Sequence, residues 1–348
     1  MNILRKLLFP FAVLYGSITF FRNLLFDIGG FRSHSFEVPI ITVGNLSVGG
    51  TGKSPQIEYL IRLLIQNNYS IATLSRGYKR STKGFILAND QQNAQTLGDE
   101  PFQFYKKFPE ISVAVDANRV EGIQKILRFK NPQVILLDDA FQHRSVKAGL
   151  NVLLTSFDDL FSDDWLLPLG NLREFSSGKK RAQIIVVTKC PHDFSEQDRM
   201  EIQLKLKLNV NQELFFSKIQ YDEFVYNNQS KLLLDNFFQS PKLLLAGIAK
   251  PDTFFNYLKK PGDVCMTYAD HHNFSDIDIQ NILKTASKIP IITTEKDYVR
   301  LVDRIPNEQL FYLPIRSEFL NNGSFFDQMI LDYVATNTTD SFLHSTKD

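Results

Sequence analysis

The sequence predicts an α/β protein: a mostly parallel sheet with helices on both faces, a smaller α/β domain after it, and an apolar helix before it. Three observations carry this reading. Short apolar, β-branched runs at 38–43, 70–75, 111–115, 134–137, 150–155 and 184–188 alternate with helical patterns such as 118–129. That alternation calls for crossover connections, and so for a parallel sheet covered on both sides. After about residue 218 a polar stretch, 218–230, reads as a linker into a shorter set of strands and helices. Residues 7–21 carry no charge at all. With 348 residues, 43% of them hydrophobic and 22% charged, the chain has the composition of a folded protein of about two domains.

Leu7, Phe11, Leu14, Ile18, Phe21 and Leu25 recur at helical spacing, with Arg5 and Lys6 before them and Arg22 after. An export signal lacks a convincing small-residue cleavage site here. Fifteen uncharged residues fall short of the ~20 a spanning helix needs. A helix lying in the interface, its basic residues near lipid headgroups, fits the pattern; a buried core helix is the plain alternative. The expectation is peripheral, monotopic attachment through residues 1–30.

The run at 38–43 leads into Gly44-Asn-Leu-Ser-Val-Gly-Gly-Thr-Gly-Lys-Ser54, and apolar residues at Ile57, Leu60, Ile61 and Leu64 then mark a helix. Strand, glycine-rich turn and helix in that order aim several backbone N–H groups and the positive helix end at one point, a phosphate cradle. The usual pattern is G-x-x-x-x-G-K-[ST], with Ser47 at the place of its first glycine. Ser47, Val48, Gly49, Gly50, Thr51, Gly52, Lys53 and Ser54 are therefore the expected nucleotide-binding residues. Lys53 would reach the β/γ-phosphates and Ser54 would bind Mg²⁺. The domain is thus expected to be P-loop NTPase-like, over residues 31–225.

The strand at 134–137 ends in Asp138 and Asp139. A hard cation beside a nucleotide needs oxygen ligands at such a strand end, although an acidic pair can equally cap the next element. Ala140-Phe-Gln-His-Arg144 continues the same edge. Asp99 and Glu100 precede a proline, where first-turn helix acids are the simple explanation. In Leu167-Pro-Leu-Gly-Asn-Leu-Arg-Glu174, Arg173 could clamp phosphate and Glu174 could join a metal; a surface ion pair is the alternative.

The second set reads as strand 243–246, helix 251–258, strand 264–268, helix 276–288, strand 289–293, a returning strand 310–314 and a closing helix 325–334. Its expected domain is 226–335, with a flexible polar tail at 336–348. Asp270-His-His272 is its one paired histidine site, able to tune a proton transfer. The net charge of +1 gives no electrostatic case for nucleic acid. Cys190 and Cys265 lack metal-ligand spacing and fit a reduced compartment. Thr188-Lys-Cys-Pro191 lacks the aspartate of a guanine-reading loop, and Val48 stands where a signature lysine marks the partitioning ATPases.

In order along the chain stand the phosphate loop with Pro55, Ser75-Arg-Gly-Tyr78, Gly98-Asp-Glu-Pro101, Asp138-Asp-Ala-Phe-Gln-His143, Leu172-Arg-Glu174, Thr188-Lys189, Ala246-Gly-Ile-Ala249, Asp270-His271 and Thr294-Glu-Lys-Asp297. This ordered set resembles the tetraacyldisaccharide 4'-kinases of Gram-negative bacteria, from the apolar helix to about residue 335. Ala140 departs from the glycine usual there. The resemblance implies transfer of the ATP γ-phosphate to the 4'-hydroxyl of an acylated glucosamine disaccharide 1-phosphate, giving lipid IVA in lipid A biosynthesis. The place of work would be the cytoplasmic face of the inner membrane, in contact with its lipid. It also implies Asp99 as the base with His271 as partner, and Lys53 and Asp139 in the catalytic set. Ser54, Asp138 and Glu174 would hold or orient Mg²⁺. Arg76, Tyr78, Arg119, Gln142, His143 and Arg173 would serve the sugar and its phosphate. A P-loop kinase for a soluble metabolite and a nucleotide-driven membrane switch are the competing classes.

Overall fold

A computed structural model describes residues 3–344. In chain order the first unit runs α1 (Ile3–Lys6), α2 (Phe9–Asp27), β1 (Ile40–Asn45), α3 (Lys53–Gln66), β2 (Ile71–Ser75), β3 (Ile86–Leu87), α4 (Ala94–Leu97), α5 (Asp99–Lys107), β4 (Ser112–Val115) and α6 (Arg119–Phe129). It continues with β5 (Val134–Asp138), β6 (Leu150–Ser156), β7 (Ile184–Thr188), α7 (Glu196–Leu206) and β8 (Glu213–Tyr221). Then come β9 (Phe224–Tyr226), β10 (Lys231–Leu233), β11 (Leu243–Ala246), α8 (Asp252–Leu258), β12 (Val264–Thr267), α9 (Asp276–Ala286), β13 (Ile291–Thr294), α10 (Glu295–Leu301) and β14 (Leu310–Leu313). β15 (Ile315–Phe319) and α11 (Gly323–His344) close the chain.

The large sheet has the order β15-β8-β7-β6-β1-β5-β2-β4-β3. It is parallel from β8 to β4, with β3 and β15 antiparallel at its edges. Its central strands, β1, β2, β5, β6 and β7, are buried on both faces, and the two-residue period sorts their side chains. Ile41, Val43, Val134, Leu136, Val152, Leu154, Ile184 and Val186 point to one layer, under α3 and α11. Ile40, Ile135 and Leu137 meet α6 through Ile123 and Ile126, while Leu153, Ile185 and Val187 meet α7 through Ile202 and Leu206. Phe326 of α11 is fully buried, its ring 4.4 Å from Phe319 and 5.3 Å from Phe215. Truncating it to alanine would cost roughly 3–5 kcal/mol.

The smaller sheet, β10-β9-β14-β13-β11-β12, is parallel from β14 to β12. α9 starts with a capping box in which Ser275 and Asp278 satisfy each other's backbone N–H groups.

Two expectations change. The polar stretch at 218–230 is more than a linker: 218–221 finish β8, paired with β15, and 224–226 form β9, paired with β10 and β14. The chain also returns to the large sheet. β15 pairs with β8 from Ile315↔Tyr221 to Phe319↔Ser217, so both passages between the units form one antiparallel ribbon. α11 packs on the first core and continues past Val334 to His344, well into the expected tail; residues 345–348 lie outside the described ones.

Candidate active site

β1 lies at the centre of the sheet between β5 and β6, where the strand order reverses, and ligands of open α/β sheets collect at that crevice. The loop after it turns on Gly49 (φ 110°) and Gly52 (φ 82°), a backbone region closed to most side chains. Gly52 caps α3, leaving the first-turn N–H groups of that helix facing the loop. Ser47 and Val48 differ from expectation. Ser47 bridges to Leu172, the Val48 N–H donates to the Asn171 carbonyl at 2.8 Å and the Thr51 N–H to the Gly49 carbonyl at 3.1 Å, so the amides of 49, 50 and 52–54 are left to face a ligand. From behind, Thr188 Oγ1 donates to the Thr51 carbonyl at 2.8 Å and Lys189 Nζ to that of Gly50 at 2.5 Å. Thr51 Oγ1 and Asn45 Nδ2 are buried at this loop without a protein partner. Buried polar atoms of that kind mark a site built for a polar ligand.

Beside the loop, in register with Val43, is Asp138. It accepts from Ser75 Oγ at 3.1 Å, and burial together with the neighbouring Asp139 pushes its carboxyl up to about 6. Asp139 stands in the left-handed region (φ 48°), which turns its side chain to Lys53 at 3.6 Å and Arg173 at 2.8 Å. Burial works against its charge, but Lys53 and Arg173 outweigh it and hold it below the usual carboxylate range. Asp138 is thus the acid short of a cation. Among the described residues no cluster of three or more His, Cys, Asp or Glu side chains could hold a metal alone. The donor set here, one hydroxyl and one or two carboxylates beside a phosphate cradle, is the kind Mg²⁺ accepts.

Arg119 is fully buried, its guanidinium donating to the Asp116 and Asp138 carbonyls. Arg76, not Arg119, is therefore the arginine that faces solvent at this edge. Burial and those two arginines lower His143 to about 4, which keeps its ring neutral at pH 7. Gln142 donates to the Asn45 carbonyl at 2.9 Å and to Glu174 at 3.1 Å. Glu174 also accepts from Arg181 and from Asn23 of α2, each at 2.7 Å. Gln142 and Arg181 share one of its oxygens and Asn23 takes the other, so Glu174 orients Gln142 and keeps one lone pair open on the oxygen that meets Asn23. α2 reaches the same place twice more, through Tyr15 to the Arg173 carbonyl and Arg22 to that of Gln142, both 2.8 Å.

The other half of the site spans the two units. Asp99 opens α5; Gly98 before it, at φ 94°, packs so closely on Gly77 that an added Cβ would lie 3.2 Å from the Gly77 Cα. This brings Tyr78 beside Asp99's partner: its ring sits edge-on to His271 at 5.9 Å. His271 comes from the loop after β12, also in the left-handed region (φ 58°), and its Nδ1 lies 3.0 Å from Asp99 Oδ2. Arg300 of α10 donates through Nε to Asp99 Oδ1 at 3.0 Å and through Nη2 to Oδ2. Burial raises Asp99, but His271 and Arg300 together hold it near 2. Arg300, Asn23 and Tyr15 escape a reading of motifs. Arg300 does sit three residues after Thr294-Glu-Lys-Asp297, on the same helix face as Lys296 and Asp297.

Comparisons with known proteins agree on one relationship. A family model described as tetraacyldisaccharide-1-P 4'-kinase matches residues 4–335. The chain is 59% identical to a tetraacyldisaccharide 4'-kinase of Flavobacterium johnsoniae, over 97% of this chain and 99% of that one. It is 45% identical to that of Bacteroides thetaiotaomicron, over 97% and 95%. Among solved structures it resembles LpxK of Aquifex aeolicus in complex with ATP, with a TM-score of 0.78 and 29% identity, over 95% of this chain and all of that one.

Proposed function

The chain belongs to the tetraacyldisaccharide-1-P 4'-kinase family, and from that premise we infer how its own residues move the phosphoryl group. It is a 4'-kinase of lipid A biosynthesis, which phosphorylates the 4'-hydroxyl of tetraacyldisaccharide 1-phosphate from ATP. The observation that carries the mechanism is the Asp99–His271 pair, in which each unit supplies one member.

Phosphoryl transfer asks for alignment and charge stabilisation more than covalent help. The amides of 49, 50 and 52–54 hold the β- and γ-phosphates, and Lys53 follows the γ-phosphate, leaving Asp139 as it does so. Ser54 and Asp138 would hold Mg²⁺, with Asp139 beside them and Glu174 acting through Gln142. There the ion would supply positive charge against the charge that builds on the transferring phosphoryl group. Asp99 takes the proton of the 4'-hydroxyl, and His271 stabilises the pair. Arg76, Tyr78, His143 and Arg173 face the sugar and its 1-phosphate; Arg119 serves by fixing the backbone of Asp138.

An acylated acceptor has to be met at a lipid surface. On α2, Leu7 in the preceding turn and Phe9, Phe11, Leu14, Ile18 and Phe21 are exposed, while Ala12 and Gly16 face the protein. The helix has the length and apolarity of a membrane span. Its contacts at Tyr15, Arg22 and Asn23, however, lay it along the protein beside the site. We therefore read it as interfacial, on the cytoplasmic face of the inner membrane, with its outer face in lipid.

γ-Labelled ATP offered with the tetraacylated disaccharide 1-phosphate, or with unacylated sugars, tests this. Label should appear on the acylated acceptor, and label on soluble sugar alone would defeat the reading.

A further inference from the structure

We propose that Arg300 is a positioning residue of the Asp99–His271 pair, its guanidinium fork fixing the carboxylate so that one oxygen meets the imidazole while the other is held away from it. The inference rests on the reading that this pair handles the acceptor's proton. The geometry is specific. Nε and Nη2 each meet a different oxygen of Asp99, the two-pronged match that arginine makes and lysine cannot. Nη2 also lies 3.0 Å from His271 Nδ1, so the guanidinium touches both members at once. His271 Nε2 is left outside the pair, 3.9 Å from Asp270. Arg300 is itself held by Asp297 at 3.5 Å and by the His272 carbonyl at 3.5 Å.

Arg300 is not what joins the two units. α5 and α10 run against each other with two further ion pairs, Glu100–Lys296 at 2.8 Å and Lys107–Glu295 at 2.5 Å. Lys107 also meets the buried Glu58 of α3 at 2.7 Å. A variant at 300 therefore keeps the interface and changes the pair. The groups facing Asp99 are His271, Arg300 and Lys296 from the second unit and Glu100 from its own helix. With Arg300 gone, burial raises the affinity of Asp99 for a proton and one of the two groups opposing it is lost.

The test is the pH profile of kcat/KM, which reports the free enzyme. Arg300→Gln should move its acid limb upward by ~1–3 pH units, the usual reach of one adjacent opposite charge. The same variant should lower kcat by ~10- to 100-fold, the scale of a misplaced reacting group, with the KM for ATP within about twofold. Arg300→Lys keeps the charge and loses the fork, so it should restore the limb while kcat stays depressed. A limb and kcat unchanged in Arg300→Gln would overturn the proposal. So would full kcat in Arg300→Lys, which also decides the matter if the glutamine variant does not fold. Asp99→Asn separates the premises: if it leaves kcat unchanged, the reading of the pair fails first, whatever Arg300 does.

Discussion

Three aspartates in one site are held in three ways by their neighbours. Asp138 is pushed up by burial and by Asp139, Asp139 is held down by Lys53 and Arg173, and Asp99 is held near 2 by His271 and Arg300. The proposed mechanism uses this division: Asp138, short of positive charge, would meet the cation, and Asp99, ionised at neutral pH, would meet the acceptor's hydroxyl. Asp99→Ala should cut kcat by at least ~10², the usual size of acid–base help, while ATP still binds; turnover within a few-fold of normal would remove it from the mechanism. Lys53→Ala should lower kcat by a similar or larger factor, and an undiminished rate would mean the loop does not hold the γ-phosphate. These residues were readable because each stands in a short motif. Arg300 was not, since a guanidinium two hundred residues from its carboxylate leaves no local mark, and burial of Arg119 follows only from folding.

At the scale of elements, the strand–loop–helix of β1 and α3 could be read directly, because glycine spacing and the apolar pattern after it specify one local geometry. The apolar helix was legible as a helix, but not as a part of the site. Asn23, Arg22 and Tyr15 of α2 hold Glu174, Gln142 and Arg173. Deleting residues 1–26 would therefore remove both the exposed apolar face proposed to meet lipid and three supports of the phosphate edge. Asn23→Leu separates the two. It should leave sedimentation with lipid vesicles unchanged while kcat drops by roughly tenfold, because Gln142 loses its fixed carboxylate partner. Loss of vesicle binding together with an intact kcat would assign Asn23 to the membrane face alone.

For the whole molecule, alternation of strands and helices gave both sheets, yet not how the chain passes between them. The stretch at 218–230 is polar although 218–221 pair with β15 and 224–226 with β10, and polarity alone does not tell a partly exposed strand from a linker. Likewise nothing local says that β15 pairs back onto β8, since register comes from the partner strand. The ribbon and the α5–α10 contact jointly bring His271 to Asp99. That contact costs stability as pH rises from acid toward neutral. Burial, then Glu58, raises Glu295 well above the ordinary glutamate value. The folded state keeps a proton that the unfolded chain has already released, so stability falls as pH rises from the ordinary value toward the raised one. Relative to the wild type, Glu295→Gln should gain in Tm between pH 5 and pH 8, by ~1–2 °C per kcal/mol of relieved cost; a constant difference across that range would show that Glu295 is not held above its ordinary value.

A double-mutant cycle on kcat with the acylated acceptor reaches the central claim, that one residue from each unit acts as a single proton-handling group. Asp99→Asn, His271→Ala and the double variant would be measured side by side. Residues that work as a unit are non-additive, so the double variant should lose little more than Asp99→Asn alone. Losses that multiply, each residue contributing its full factor in the absence of the other, would contradict the account.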